Sequence, residues 1–224
     1  MNRSAPFQNI LLRSPLIVLT CIVLLFTPSC ENRKQEQKEI KAVWKNYTEA
    51  VGNAMGAESV RYIDSPTINY YAYILGLVKT ADSLTVEGLR FDQKILVLSI
   101  RHITPAGKIM QMTGRSFFAY CIQNHMCGGN ANDEYSLKIL SVKDGVAMTQ
   151  LIDSNKHPGL KVKFIKEDGN WKINLTSTLA SVGEMGWKEL IKESGKTERE
   201  LLYLFIEKMN DTPPNNEIWH PLHT

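Results

Sequence analysis

Cysteine is scarce in this 224-residue chain: Cys21 and Cys30 stand near the start, and only Cys121 and Cys127 follow. At most one bridge can therefore form beyond residue 30, which excludes a disulfide-built scaffold. Acidic residues are missing altogether before Glu31. No Gly-rich phosphate loop, Gly-x-Ser-x-Gly elbow or His-Glu-x-x-His helix occurs anywhere, so no familiar motif announces phosphoryl transfer, serine hydrolysis or zinc proteolysis. Internal repeats and low-complexity tracts are also lacking.

What the first segment does contain is ordered. Arg3 and Arg13 precede an apolar run from Leu16 to Phe26, interrupted by Thr20 and Cys21, and Thr27-Pro28-Ser29-Cys30 follows. Charge then apolarity is the order of a secretory signal, and the run is short for a stable membrane span. The small residues before Cys30 resemble the lipobox of bacterial lipoproteins, although Thr27 and Pro28 depart from its common form. That resemblance implies a signal peptide over 1–29 and an acylated Cys30. The protein would then be tethered to a bilayer in a bacterial cell envelope, with its domain in the periplasm or at the cell surface.

Removal of residues 1–29 takes Arg3 and Arg13 and leaves 24 Lys and Arg against 23 Asp and Glu in 195 residues. A near-neutral, mixed surface carries no electrostatic footprint for nucleic acid. The length suits one domain with a real core. Residues 30–38 contain no apolar residue after the cysteine and read as a lipid-proximal tether; 39–212 read as the domain and 213–224 as a tail.

Along the domain, Ile40, Val43, Trp44, Tyr47, Ala50, Val51 and Ala54 recur at helical spacing. Asp64-Ser65-Pro66 is a helix start, read with Ser65 as the cap and Pro66 at the first helical position. The following helix, from Thr67 to about Thr80, is apolar on most sides. Its tyrosines with Tyr62 (Tyr70, Tyr71 and Tyr73) are either core residues with rim hydroxyls, the favoured reading, or the wall of an aromatic pocket. Residues 89–103 read as helix ending at Thr104-Pro105, and Thr113 caps another whose stripe is Phe117, Phe118, Cys121, Ile122 and His125.

After Gly128-Gly129 the period changes. Four short segments, 135–142, 146–153, 160–166 and 171–177, carry strand formers separated by turn residues, among them Asp144-Gly145 and Asp168-Gly169. Folding the last pair about Asp168-Gly169 sets Phe164 against Ile173 and Val162 against Leu175 on one face. Lys163 then meets Asn174, and Lys161 meets Thr176, on the other. Two more helices are expected, 183–194 ending at Gly195 and one opened by the Thr197-Glu198-Arg199-Glu200 capping box, with Leu201, Leu202, Phe205 and Met209 inward. The fold class is thus α+β: N-terminal helices packed on a four-stranded antiparallel meander, with two C-terminal helices.

Candidates for chemistry are few. If Cys121 and Cys127 were both helical they would be separated by ~9 Å of rise on nearly opposite faces. A bridge therefore needs the helix to end before Cys127, and buried free thiols are the ordinary outcome. Cys121-x3-His125-x-Cys127 lacks zinc spacing and a fourth ligand, so no metal is expected. His125 suits a helix C-terminus. His102 with the upstream Asp92 is a conceivable acid/base pair, and His220 with His223 a weak pair in the tail. Asn46 and Asn174 match glycosylation acceptors that a bacterial lipoprotein would not normally use. No cofactor is expected.

The hairpin GLKVKFIKEDGNWKINL with Trp171, together with Trp44 and Tyr47 on the first helix, resembles the cone-shaped superfamily named after nuclear transport factor two. The similarity covers at most residues 36–180. It implies a curved sheet wrapped on N-terminal helices with a ligand or active site at the cone mouth. The helical segments between about 84 and 125 and the helices after the sheet exceed the usual plan of that superfamily. The function expected is a tethered, non-catalytic binding domain for a small molecule or protein. Alternatives are an immunity or inhibitor lipoprotein against an envelope-acting toxin, and an enzyme using His102 or His125.

Overall fold

The computed structural model describes residues 28–127 and 135–222, with side chains described for 32–127, 135–178 and 186–222. The expected signal segment before residue 28, Gly128-Gly129 and His223 lie outside the described residues. Among the described residues no helix is long and apolar enough to cross a membrane.

Helix α1 runs Pro28–Gly52, about 37 Å at 1.5 Å per residue. Its inner face buries Ile40, Tyr47, Ala50 and Val51 against β1 and β4 of the sheet described below. The segment expected to be a plain tether is therefore helical. Glu, Arg, Lys and Gln are good helix formers, and once the Ile40 stripe holds the helix, extension toward the N-terminus adds one hydrogen bond per residue. Gln35 Nε2 donates to Glu39 Oε1 at 2.9 Å, and Glu36 pairs with Lys166 at 3.2 Å.

Short helix α2 (Gly56–Ser59) and a 3-10 turn (Val60–Tyr62) lead to α3, Ser65–Thr80. Its cap is Asp64, not the expected Ser65. Asp64 Oδ1 accepts from Thr67 N at 2.9 Å, a charge-assisted bond that a serine hydroxyl does not match, and Pro66 takes the second helical position. Asp64 Oδ2 also accepts from Asn174 Nδ2, while Leu175 N donates to Thr67 Oγ1 at 3.0 Å. One buried carboxylate thus ties the start of α3 to the end of the sheet.

Helices α4 (Ser83–Glu87), α5 (Phe91–Ile103), α6 (Ala106–Gln111) and α7 (Gly114–Gln123) follow. Helix α3 packs closely on α7. Gly114 permits it, since a Cβ there would lie 2.7 Å from Ala72 Cβ and 2.8 Å from the Ile68 carbonyl oxygen.

Strands β1 (Ser136–Lys143), β2 (Val146–Ile152), β3 (Pro158–Glu167) and β4 (Asn170–Asn174) form an antiparallel meander in chain order. The turns at Asp144-Gly145 and Asp168-Gly169 have positive φ at both residues, 50° and 73°, 48° and 78°, as the primed turn requires. Phe164 pairs with Ile173 and Lys163 with Asn174, as expected. The inner face buries Ala147, Thr149, Val162, Phe164, Trp171 and Ile173.

The expected pairs of Val162 with Leu175 and Lys161 with Thr176 do not form, because β4 stops at Asn174. Asn174 caps α8, Leu175–Ser194, its Oδ1 accepting from Ser177 N at 2.9 Å. Side-chain capping there outcompetes strand extension. Helix α8 ends at Gly195 in the left-handed conformation, φ 64°, and α9, Glu198–Asn210, opens with the Thr197/Glu200 capping box. Leu201, Leu202 and Ile206 face inward; Phe205 is half-buried and Met209 is 42% exposed, against expectation.

The tail docks on α5, burying Ile218 and Trp219. Arg101, 8% exposed, donates to the carbonyls of Leu77 (2.9 Å), Val78 (2.9 Å), Ala81 (2.6 Å) and Ile218 (3.1 Å). A cation there also suits the C-terminal end of α3. Trp219 Nε1 donates to Tyr203 Oη at 3.0 Å, and that hydroxyl donates to Asn216 at 2.8 Å.

Candidate functional site

Between the inner face of the sheet and the helices lies a cavity of ≈ 560 Å³, inside the range of about 300–1,000 Å³ typical of small-molecule sites. Each wall comes from an element whose apolar stripe was fixed by burial. Trp44 and Tyr47 of α1, Tyr70 and Tyr71 of α3, and Ile95 and Leu96 of α5 form one side. Leu151, Leu160 and Val162 of the sheet, with Met126 and Cys127 beyond α7, form another. Leu175, Thr178 and Trp187 of α8 and Phe205 and Met209 of α9 complete it.

The aromatic rings fall into two clusters. Trp44 lies 6.2 Å from Tyr47, and Tyr71 meets Tyr70 and Phe118 edge-on at 5.6 and 4.8 Å. Across the cavity, Phe91, Trp187 and Phe205 interlock at 5.0 to 6.2 Å. Such rings hold their orientation through quadrupole contacts while presenting apolar faces. Tyr47 and Val162 are nearly fully buried, whereas Leu160 and Met209 are 42% exposed, so the sheet and α9 edges form the mouth.

Asp92 is the one charged side chain lining the cavity among the described residues, and Arg90 grips it with two bonds of 3.0 and 2.7 Å. The phenols that line it are pushed up from their ordinary value. Burial, then the neighbouring Cys127, pushes the Tyr47 phenol far up. Burial followed by the Cys127 and Cys121 thiols does the same for Tyr71, and burial with a Cys127 hydrogen bond raises the Cys121 thiol. Tyr70 is raised by burial and by the Asp92 carboxylate. Desolvation dominates each case.

Sequence candidates are distributed unevenly. Tyr70 and Tyr71 line the cavity, while Tyr62 donates to Glu58 at 2.8 Å and Tyr73 is exposed. Cys121 and Cys127 are neighbouring free thiols; the bridge is not formed. His102 is not joined to Asp92: ten residues along α5 separate them by about 15 Å. Its Nε2 lies 3.1 Å from Thr212 O and Oγ1, in a separate polar cleft of ≈ 300 Å³ that includes Glu217 and His220. His125 is exposed in a left-handed turn, φ 53°, and so leaves the stripe it was assigned to. Among the described residues no cluster of three His, Cys, Asp or Glu side chains stands ready for a metal. Asn174 is buried and bonded to Asp64. The Cys30 side chain lies outside the described residues, though its backbone belongs to α1.

Sequence reasoning missed Ile95, Leu96, Leu175, Trp187 and Phe205 as cavity residues. Their periodicity signals burial, and burial against a neighbour or against a void gives the same pattern.

The fold and site together define an α+β domain enclosing an apolar, aromatic-walled cavity. Comparison with protein-family models, curated proteins and solved structures finds no match to this chain.

Proposed function

We propose that this chain is a lipid-tethered protein of a bacterial cell envelope whose domain binds an apolar small molecule without transforming it. The observation that carries the reading is the ≈ 560 Å³ cavity walled by rings and aliphatic side chains, in which the one carboxylate among the described residues is already paired. Ordinary cores close such volumes, because a void forfeits dispersion contacts and burial energy. Phenols held protonated cannot act as base or nucleophile at neutral pH, which favours holding over chemistry. The cone-shaped superfamily resemblance supports the same location for a ligand. Tethering through Cys30 would keep the cavity within reach of molecules that partition into the bilayer.

The test is binding of a neutral naphthalene dye to the native protein and to Ile95→Trp, which fills the cavity from α5. Native protein should bind and enhance emission; Ile95→Trp should lose at least about tenfold in affinity while keeping its circular dichroism. A native protein that binds no apolar probe and carries no extractable apolar molecule would refute the reading. For the anchor, Cys30→Ser should abolish incorporation of labelled fatty acid.

A further inference from the structure

The deep end of the cavity carries a polar group that the fold does not use. Tyr47 is only 4% exposed, and its hydroxyl makes no hydrogen bond to any described residue. It is not sealed away either. Among the described residues the buried side-chain N or O atom lacking a partner is Trp171 Nε1. The Tyr47 oxygen therefore keeps accessible surface, and the space that reaches it is the cavity Tyr47 lines. The Tyr71 hydroxyl and Cys127 thiol stand beside it, both close enough to influence its ionisation or one another's.

This end is polar but uncharged. No Lys, Arg or His lines the cavity among the described residues, and the Asp92 carboxylate is occupied by Arg90. An anion brought here would be buried without a counter-charge, which costs far more than burying a neutral group. A cation would fare no better, since the available carboxylate is already neutralised. A pure hydrocarbon would fill the volume but leave the Tyr47 hydroxyl dry and unpaired.

Resting on the reading of the cavity as a binding site, we infer that its ligand is an uncharged, largely hydrocarbon molecule that enters with a hydrogen-bond acceptor foremost. The acceptor is a carbonyl or ether oxygen that takes the Tyr47 hydroxyl. The hydrocarbon body lies between the two ring clusters, and the trailing end meets Leu160 and Met209 at the mouth.

Three probes of nearly equal size separate the possibilities: methyl naphthyl ketone, ethylnaphthalene and naphthoate. Each displaces the neutral dye prodan from the native membrane-extracted protein in lipid nanodiscs, with empty nanodiscs subtracted. The native protein should prefer the ketone to ethylnaphthalene by about 3- to 10-fold and bind naphthoate most weakly. Tyr47→Phe, which keeps the ring, should remove that preference, bringing ketone and ethylnaphthalene to equal affinity because the hydrocarbon no longer leaves a hydroxyl dry. Tyr70→Phe, at the Asp92 side, should retain it. Equal affinity for ketone and hydrocarbon, tightest binding of naphthoate, or a preference that survives Tyr47→Phe would overturn the inference while leaving the cavity reading intact. Failure of the dye and all three probes to bind would sink both.

Discussion

Arg101 and Tyr47 are both polar, both nearly buried, and treated oppositely. Arg101 gives four of its five N–H groups to backbone carbonyls, from α3 and from the tail, so its charge is desolvated yet bonded. Burial lowers its pKa only to about 10, and it stays cationic at neutral pH. The Tyr47 hydroxyl makes no hydrogen bond among the described residues and faces the cavity. The first is a region that the protein finishes with its own atoms; the second is one that it leaves for something else. Complete satisfaction marks a structural joint, and an unsatisfied polar atom beside an apolar cavity marks a site.

The largest expected effect breaks the finished end. Arg101→Met strands the carbonyls of Leu77, Val78, Ala81 and Ile218 and should cost about 3 kcal/mol or more, read from the denaturant midpoint. It should also release the tail, raising the accessibility of Trp219 to a quencher. A smaller loss tests the packing that supports both regions. Gly114→Ala drives a methyl into α3 and should cost about 1–3 kcal/mol, seen as a lower thermal midpoint with unchanged helix content.

The comparison is sharpened by two matched deletions of one hydroxyl. Tyr203→Phe removes the Asn216 and Trp219 bonds and should cost about 1 kcal/mol. Tyr47→Phe removes an unpaired group and should leave unliganded stability unchanged or slightly higher. Equal losses from the two would mean that the Tyr47 hydroxyl is as fully bonded as that of Tyr203. The smallest effect is on pH. Thr197 backbone and side-chain hydrogen bonds lower the Glu200 pKa below the usual carboxylate value. Its contribution is therefore complete above the unfolded carboxylate range and is lost as pH falls through the lowered folded pKa. The difference in thermal midpoint between native protein and Glu200→Ala should be present at neutral pH and shrink in acid.

Periodicity, turn chemistry and capping made much of the architecture legible. The Ile40 stripe, the Asp168-Gly169 hairpin with Phe164 against Ile173 and the Thr197 capping box all follow from local rules. Where two local rules competed, the sequence was ambiguous. Asn174-Leu175-Thr176-Ser177 alternates like a strand and caps like a helix, and it is the buried bond from Asn174 to Asp64 that decides. Residues 31–38 read as a leash for want of apolar side chains, but propagation from α1 makes them helical. His125 fitted the α7 stripe by spacing, yet the helix stops before it at Gln123.

By itself the sequence determined the class of fold, because hydrophobic spacing and turn residues act over a few positions and are written in order. It also carried the charged, then apolar start and Cys30, on which the proposal of a lipid tether rests. The cavity was decided only in three dimensions. Trp44, Tyr71, Ile95, Val162, Trp187 and Phe205 come from six separate elements, and whether such side chains meet or leave room depends on how those elements are spaced by Asp64, Gly114 and Asn174. An apolar residue facing a neighbour and one facing a void obey the same pattern in the chain. What differs is the atom, or the absence of one, on the far side.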